Sequence, residues 1–244
     1  MVGGKVRRQL AAPASWLIVG VFAFLSGIAF VVTLNAFLDQ SSLALTSPPP
    51  EPVNVNQLLI RPFLRWVGLA ALVVLPMMTA RAKAGQSSAS ARTVVASFVG
   101  MLALYSVMLL ASLALVAVLF LFGTPEWGAI ATGYLGLLVM GAAFISVAIF
   151  ISSLATSPVA AGFATYAVSL MLAAAAWLAR TGTASAQPVF GYFSAGDALD
   201  DFAKGVVDTG HVVSCLAIIV LGLFLTVRAI ESPRSDNRQL TTDN

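Results

Sequence analysis

Residues 127–179 read WGAIATGYLGLLVMGAAFISVAIFISSLATSPVAAGFATYAVSLMLAAAAWLA, 53 consecutive positions without a charged side chain. Crossing a hydrocarbon core of about 30 Å takes roughly 20 apolar residues as a helix, so this run is too long for one crossing. Inside it, Ser152-Ser153-Leu154-Ala155-Thr156-Ser157-Pro158 brings together the residue types that cap and end helices. The stretch therefore predicts two membrane spans, 130–151 and 159–179.

The same reading extends outward. Between Arg8 and Asp39 lie 30 uncharged residues, which predict a span over 16–34, and Thr93 to Pro125 holds 33, which predict one over 94–122. The uncharged run Thr209–Val227 predicts a last span over 209–228. A shorter candidate, 63–80, has Arg65 near its start, able to snorkel to the interface, and Pro76 near its end, expected to kink the helix. The fold expected is an all-α integral membrane protein with six transmembrane helices. One membrane domain covers 1–232, followed by a polar tail, 233–244.

Composition agrees. Of 244 residues 59% are hydrophobic and 9% charged, with a mean hydropathy of +0.94. Soluble domains carry roughly 25% charged residues, so the polar surface such a domain needs is missing. The single cysteine, Cys215, excludes an internal disulfide. The net charge of +3 does not point to nucleic acid, because the basic residues form no single patch. The first apolar stretch is too long for a signal-peptide core and lacks a small-residue cleavage site.

Basic residues near span ends set the orientation. With six spans, one side holds Lys5, Arg7, Arg8, Arg81, Lys83, Arg92, Arg228, Arg234 and Arg238; the other holds Arg61, Arg65, Arg180 and Lys204. Nine against four places both termini in the cytoplasm.

Three segments outside the spans have their own character. Residues 2–12 set Lys5, Arg7 and Arg8 beside Val6 and Leu10, which fits an interfacial helix or an ordinary topology-setting flank. The outer connection 35–62 contains Ser47-Pro48-Pro49-Pro50-Glu51-Pro52, a stiff spacer. In 181–210, Leu199, Phe202 and Val206 recur at helical spacing opposite Asp200, Asp201, Lys204 and Asp208, as in an amphipathic outer helix ending near Gly210.

Enzymatic constellations are sparse. The one histidine, His211, has no second His or Cys nearby to make a zinc site, and neither an HExxH pair nor a GxxxxGK[ST] phosphate loop occurs. A serine protease of the membrane would need a histidine on a facing helix, and His211 sits at a span end. The central parts of the spans hold no Asp, Glu, Lys, Arg or His, which argues against a carboxylate proton relay. Ala23 with Gly27, Ala96 with Gly100, and the Ala173–Ala176 run have the small-residue spacing that lets helices approach closely.

Several stretches carry a family resemblance. Glu126-Trp127-Gly128-Ala129-Ile130-Ala131-Thr132-Gly133-Tyr134 through Gly141-Ala142-Ala143-Phe144 to Ser152-Ser153-Leu154 resembles the fourth span of type-2 ABC exporter permeases. Asp201-Phe202-Ala203-Lys204-Gly205-Val206-Val207-Asp208, with Phe224-Leu225-Thr226-Val227-Arg228, is similar to the last outer helix and sixth span of the gliding-motility permease branch. Ser15-Trp16 with Phe22, Leu25, Ser26 and Gly27 fits its first span.

The resemblance implies a permease subunit of a bacterial inner-membrane exporter, without a catalytic site or cofactor of its own. ATP-Mg would be bound and hydrolysed by a separate cytoplasmic ABC ATPase subunit. It further implies an N-terminal elbow helix, re-entrant helices between spans five and six (the region of Leu199, Phe202, Lys204, Val206 and Asp208), and pairing with a second permease copy or a paralogue in membrane lipid. The candidate ATPase contacts are Arg7, Arg8, Arg81, Lys83 and Arg92.

One segment departs from the family pattern. Members carry a charged coupling element with acidic residues and a proline between spans two and three. Here Ala80–Thr93 has neither, nor any leucine, and reads as a flexible Gly/Ser/Ala-rich linker. That leaves a second reading, a permease-derived structural or assembly subunit that has lost ATPase coupling.

Overall fold

The computed structural model describes residues 13–46, 54–84, 91–120, 125–155, 157–181 and 209–231. Among them the chain is helical with no strand. The elements are α1 (Pro13–Thr46), a π-helical turn (Asn56–Ile60) running into α2 (Arg61–Ala84), α3 (Ala91–Leu119), α4 (Trp127–Leu154), α5 (Pro158–Thr181) and α6 (Thr209–Glu231).

Among the described residues, five segments are long and apolar enough to cross a membrane: Ser15–Leu43, Asn56–Met78, Ala91–Leu119, Trp127–Leu154 and Thr209–Glu231. The chain is thus built as a multi-pass membrane protein. In α5 the described side chains form a shorter apolar stretch, Val159–Met171.

The break between α4 and α5 has a local cause. Ala155 is extended and its N–H bonds back to the Ile151 carbonyl, closing α4. Ser157 then caps α5, its Oγ accepting from the Ala160 N–H at 3.1 Å, with Pro158 at the first helical position where its missing N–H costs nothing.

Helix ends elsewhere differ from the sequence expectation. The expected first span, 16–34, stops short of Asp39, yet the helix that carries it, α1, continues to Thr46. No glycine or proline occurs from Ile28 to Ser47, and Ser41 and Ser42 return their hydroxyls to the Leu38 and Asp39 carbonyls at 2.9 and 2.8 Å. A charge ends a hydrophobic run, but it does not end a helix. The outer connection 35–62 shrinks correspondingly, since Asn54 caps the π turn, its Oδ1 accepting from the Asn56 N–H at 2.9 Å. The helix that carries the expected span 63–80 therefore starts seven residues earlier, with the π turn, and runs through Pro76 to Ala84.

Gly210, expected to end an outer helix, lies in the first turn of α6. The interfacial helix of 2–12, the amphipathic helix around Leu199–Asp208 and the 233–244 tail fall outside the described residues.

α4 is the hub. It packs against α2, α3, α5 and α6, while α1 lies on α2 and α3. Of α4's apolar window 61% is buried, against 11% for α6, which rests mainly on α4. The core forms where Phe22 of α1, Phe63 and Val67 of α2, Tyr105 and Met108 of α3, and Ile145 of α4 meet. Phe30 and Phe63 add an edge-to-face contact at 5.7 Å between α1 and α2. Outward-facing Trp16, Phe24, Leu110, Phe163 and Phe224 are exposed, a surface suited to acyl chains.

Candidate functional site: the seams of the central helix

In lipid, helices gain little by hiding apolar surface from one another, so close packing and interhelical hydrogen bonds decide how they associate. Both concentrate on α4. On its α2 side, a Cβ at Gly133 would overlap the Leu64 side chain; on its α3 side, one at Gly141 would overlap the Tyr105 ring. On its α6 side, a Cβ at Gly222 would stand 2.9 Å from the Ser146 Oγ and 3.1 Å from its backbone carbon. Three glycines thus set the approach of three neighbours.

Polar contacts follow the same seams. The buried Tyr105 hydroxyl donates to the Leu137 carbonyl at 3.0 Å, and Ser112 Oγ and Tyr134 OH meet at 3.1 Å, so α3 and α4 are joined twice. Ser146 Oγ donates to the Ala143 carbonyl at 2.7 Å within α4 and reaches the Ile218 carbonyl of α6 at 3.4 Å. Phe120 and Trp127 stack at 4.0 Å where α3 hands over to α4.

A further contact joins α2 and α5. Pro76 has no N–H to give the Leu72 carbonyl, which loosens the helix ladder there. On the next residue, the Val73 carbonyl accepts from the Tyr166 hydroxyl of α5 at 2.6 Å. Neighbouring helices commonly satisfy backbone groups loosened in this way.

Sequence spacing singled out Ala23 with Gly27, but Gly27 faces open space within 4 Å. Ala96 and Gly100 are buried in α3. Close approach is instead found at Gly133, Gly141 and Gly222. Each looks like any other membrane-helix glycine until the residue across from it is known.

The candidate ATPase contacts are only partly placed. Arg81 and Lys83 fall in the last turn of α2 and an exposed Arg92 in the first turn of α3, so they flank one connection. That connection, 85–90, is six residues long, because 80–84 belongs to α2 and 91–93 to α3 rather than to a linker. Arg7 and Arg8, like Leu199, Phe202, Lys204, Val206 and Asp208, lie outside the described residues. Among the described residues, no group of three His, Cys, Asp or Glu could hold a metal ion.

No protein-family model, curated protein or solved structure matches this chain.

Proposed function

We propose that the chain is the membrane-spanning permease subunit of an ABC exporter, with α5 as a sixth crossing and both termini in the cytoplasm of a bacterial cell. It moves its substrate using ATP hydrolysed by a separate ATPase subunit. The observation that carries this reading is the placement of charge. Every Asp, Glu, Lys and Arg in the described helices lies toward a helix end, and α4, the most enclosed helix, contains none between Trp127 and Leu154. A bundle without charge in its interior has no relay for coupling transport to protons, so the work is supplied from outside it. The sequence resemblance supports the same assignment.

The test is co-purification in mild detergent with an ABC ATPase encoded beside it, followed by ATPase assay in lipid. Stoichiometric recovery and ATP hydrolysis stimulated by the permease are expected. If the chain purifies without an ATPase under conditions that keep other exporters whole, the proposal fails.

One observation favours a second reading. Six residues between α2 and α3 are too few for an additional coupling helix. A permease-derived assembly subunit would bind its membrane partners but show no ATP-dependent transport, and detection of such transport excludes it.

A further inference from the structure

Two buried polar atoms at the start of α2 have no partner. Asn56 is 6% exposed and its Oδ1 accepts no hydrogen bond; five residues later the Nε of Arg61 is buried and donates none. Buried polar groups are nearly always bonded, so a donor and an acceptor left open together ask for an occupant. They are linked through the π turn Asn56–Ile60, whose i to i+5 repeat sets positions 56 and 61 one turn apart. Arg65 follows Arg61 at the spacing of α-helical neighbours.

Depth narrows the choice of occupant. From Asn56 to Ala84 the helix is 29 residues long. That is about 43 Å, the thickness of a bilayer with its head groups. Arg61 then sits about 7.5 Å from one end, at the boundary between head groups and hydrocarbon. Arg65 lies a turn deeper and is exposed on the bundle surface, and an arginine at that depth is long enough to snorkel to the same boundary. The anions resident at that level are lipid phosphates. Guanidinium groups bind phosphate through paired N–H donors, while an amide oxygen such as Asn56 Oδ1 calls for an N–H or O–H donor.

We propose that this end of α2 is a binding site for one phosphatidylethanolamine molecule, its phosphate held by Arg61 and Arg65 and its ammonium by the Asn56 side chain. Phosphatidylcholine offers the same phosphate with no N–H to give. The two head groups therefore separate the two halves of the site.

The experiment is native mass spectrometry of the full chain released from nanodiscs of phosphatidylethanolamine and phosphatidylcholine in equal amounts with identical acyl chains. The wild type is expected to retain one phosphatidylethanolamine over phosphatidylcholine by roughly tenfold, the scale of one hydrogen bond to a charged group. Asn56→Ala should bring that ratio to about one while keeping a lipid bound, by loss of that same bond. Arg61→Gln should lower retention of both lipids, and Arg61→Lys should recover part of it. Arg228→Gln, on α6, should change neither. Equal retention of the two lipids by the wild type overturns the proposal without reference to any variant. So does retention that Arg61→Gln and Arg61→Lys leave unchanged.

Discussion

The hydroxyl of Tyr105 on α3 donates to the Leu137 carbonyl on α4 at 3.0 Å, and its ring lies where a side chain at Gly141 would stand. One tyrosine thus makes both a polar and a steric contact with the central helix, and the two can be separated. Tyr105→Phe removes only the hydrogen bond, which for membrane helices is worth about 0.6 kcal/mol. Tyr105→Ala also opens a cavity and should cost about 3–5 kcal/mol. Thermal unfolding in a fixed detergent should rank the two in that order by a wide margin.

Gly141 and Gly27 are both helical glycines, yet they should respond oppositely to the same change. Gly141→Ala forces the buried Tyr105 ring aside and should cost about 1–3 kcal/mol as overpacking. Gly27→Ala meets open space and should stay within about 0.5 kcal/mol of the parent. Equal shifts in melting temperature for the two variants contradict the α3–α4 seam described above.

Tyr166 and Pro76 should be coupled although they are on different helices. Tyr166→Phe removes the bond to the Val73 carbonyl, at a cost of about 1 kcal/mol. With Pro76→Ala the ladder of α2 can close itself, and the same Tyr166→Phe should then cost less. A double-mutant cycle on unfolding is expected to show about 0.5 kcal/mol or more of non-additivity. Strict additivity would mean that the tyrosine is indifferent to the proline.

How far the fold is legible in the sequence depends on what ends each element. Helices and their order follow from charge-free runs because charge is costly in hydrocarbon, and the Ser157-Pro158 break follows because capping is local chemistry. The end of α1 is misplaced when Asp39 serves as its boundary, since Asp39 is free to ride on a helix that has left the membrane. The start of the second helical run is missed for the converse reason: Arg61, just outside the expected 63–80, looks like a border but lies within the run from Asn56 to Ala84. The seams at Gly133, Gly141 and Gly222 are not legible, because a glycine's role is decided by the side chain opposite it, tens of residues away in the chain.

The sixth crossing can be tested with single cysteines, because Cys215 is the only native one. In a Cys215→Ala background, Thr156→Cys should react with a membrane-impermeant maleimide from the same side as Ser88→Cys. Ala184→Cys should react from the opposite side, along with Thr124→Cys. If Thr156→Cys and Ala184→Cys label from one side, α5 does not cross and the termini lie on different faces.

The 34 residues of α1 impose a further geometric condition. A rod of that length measures about 50 Å. To hide it entirely within a hydrocarbon layer of about 30 Å would take a tilt near 53°, well beyond the 0–40° that spanning helices adopt. Part of α1 must therefore stand clear of the hydrocarbon. A small change in the tilt of its buried portion sweeps the protruding end, with Leu38 and Asp39 on it, through a larger arc, so events inside the bundle register as movement in the water above it.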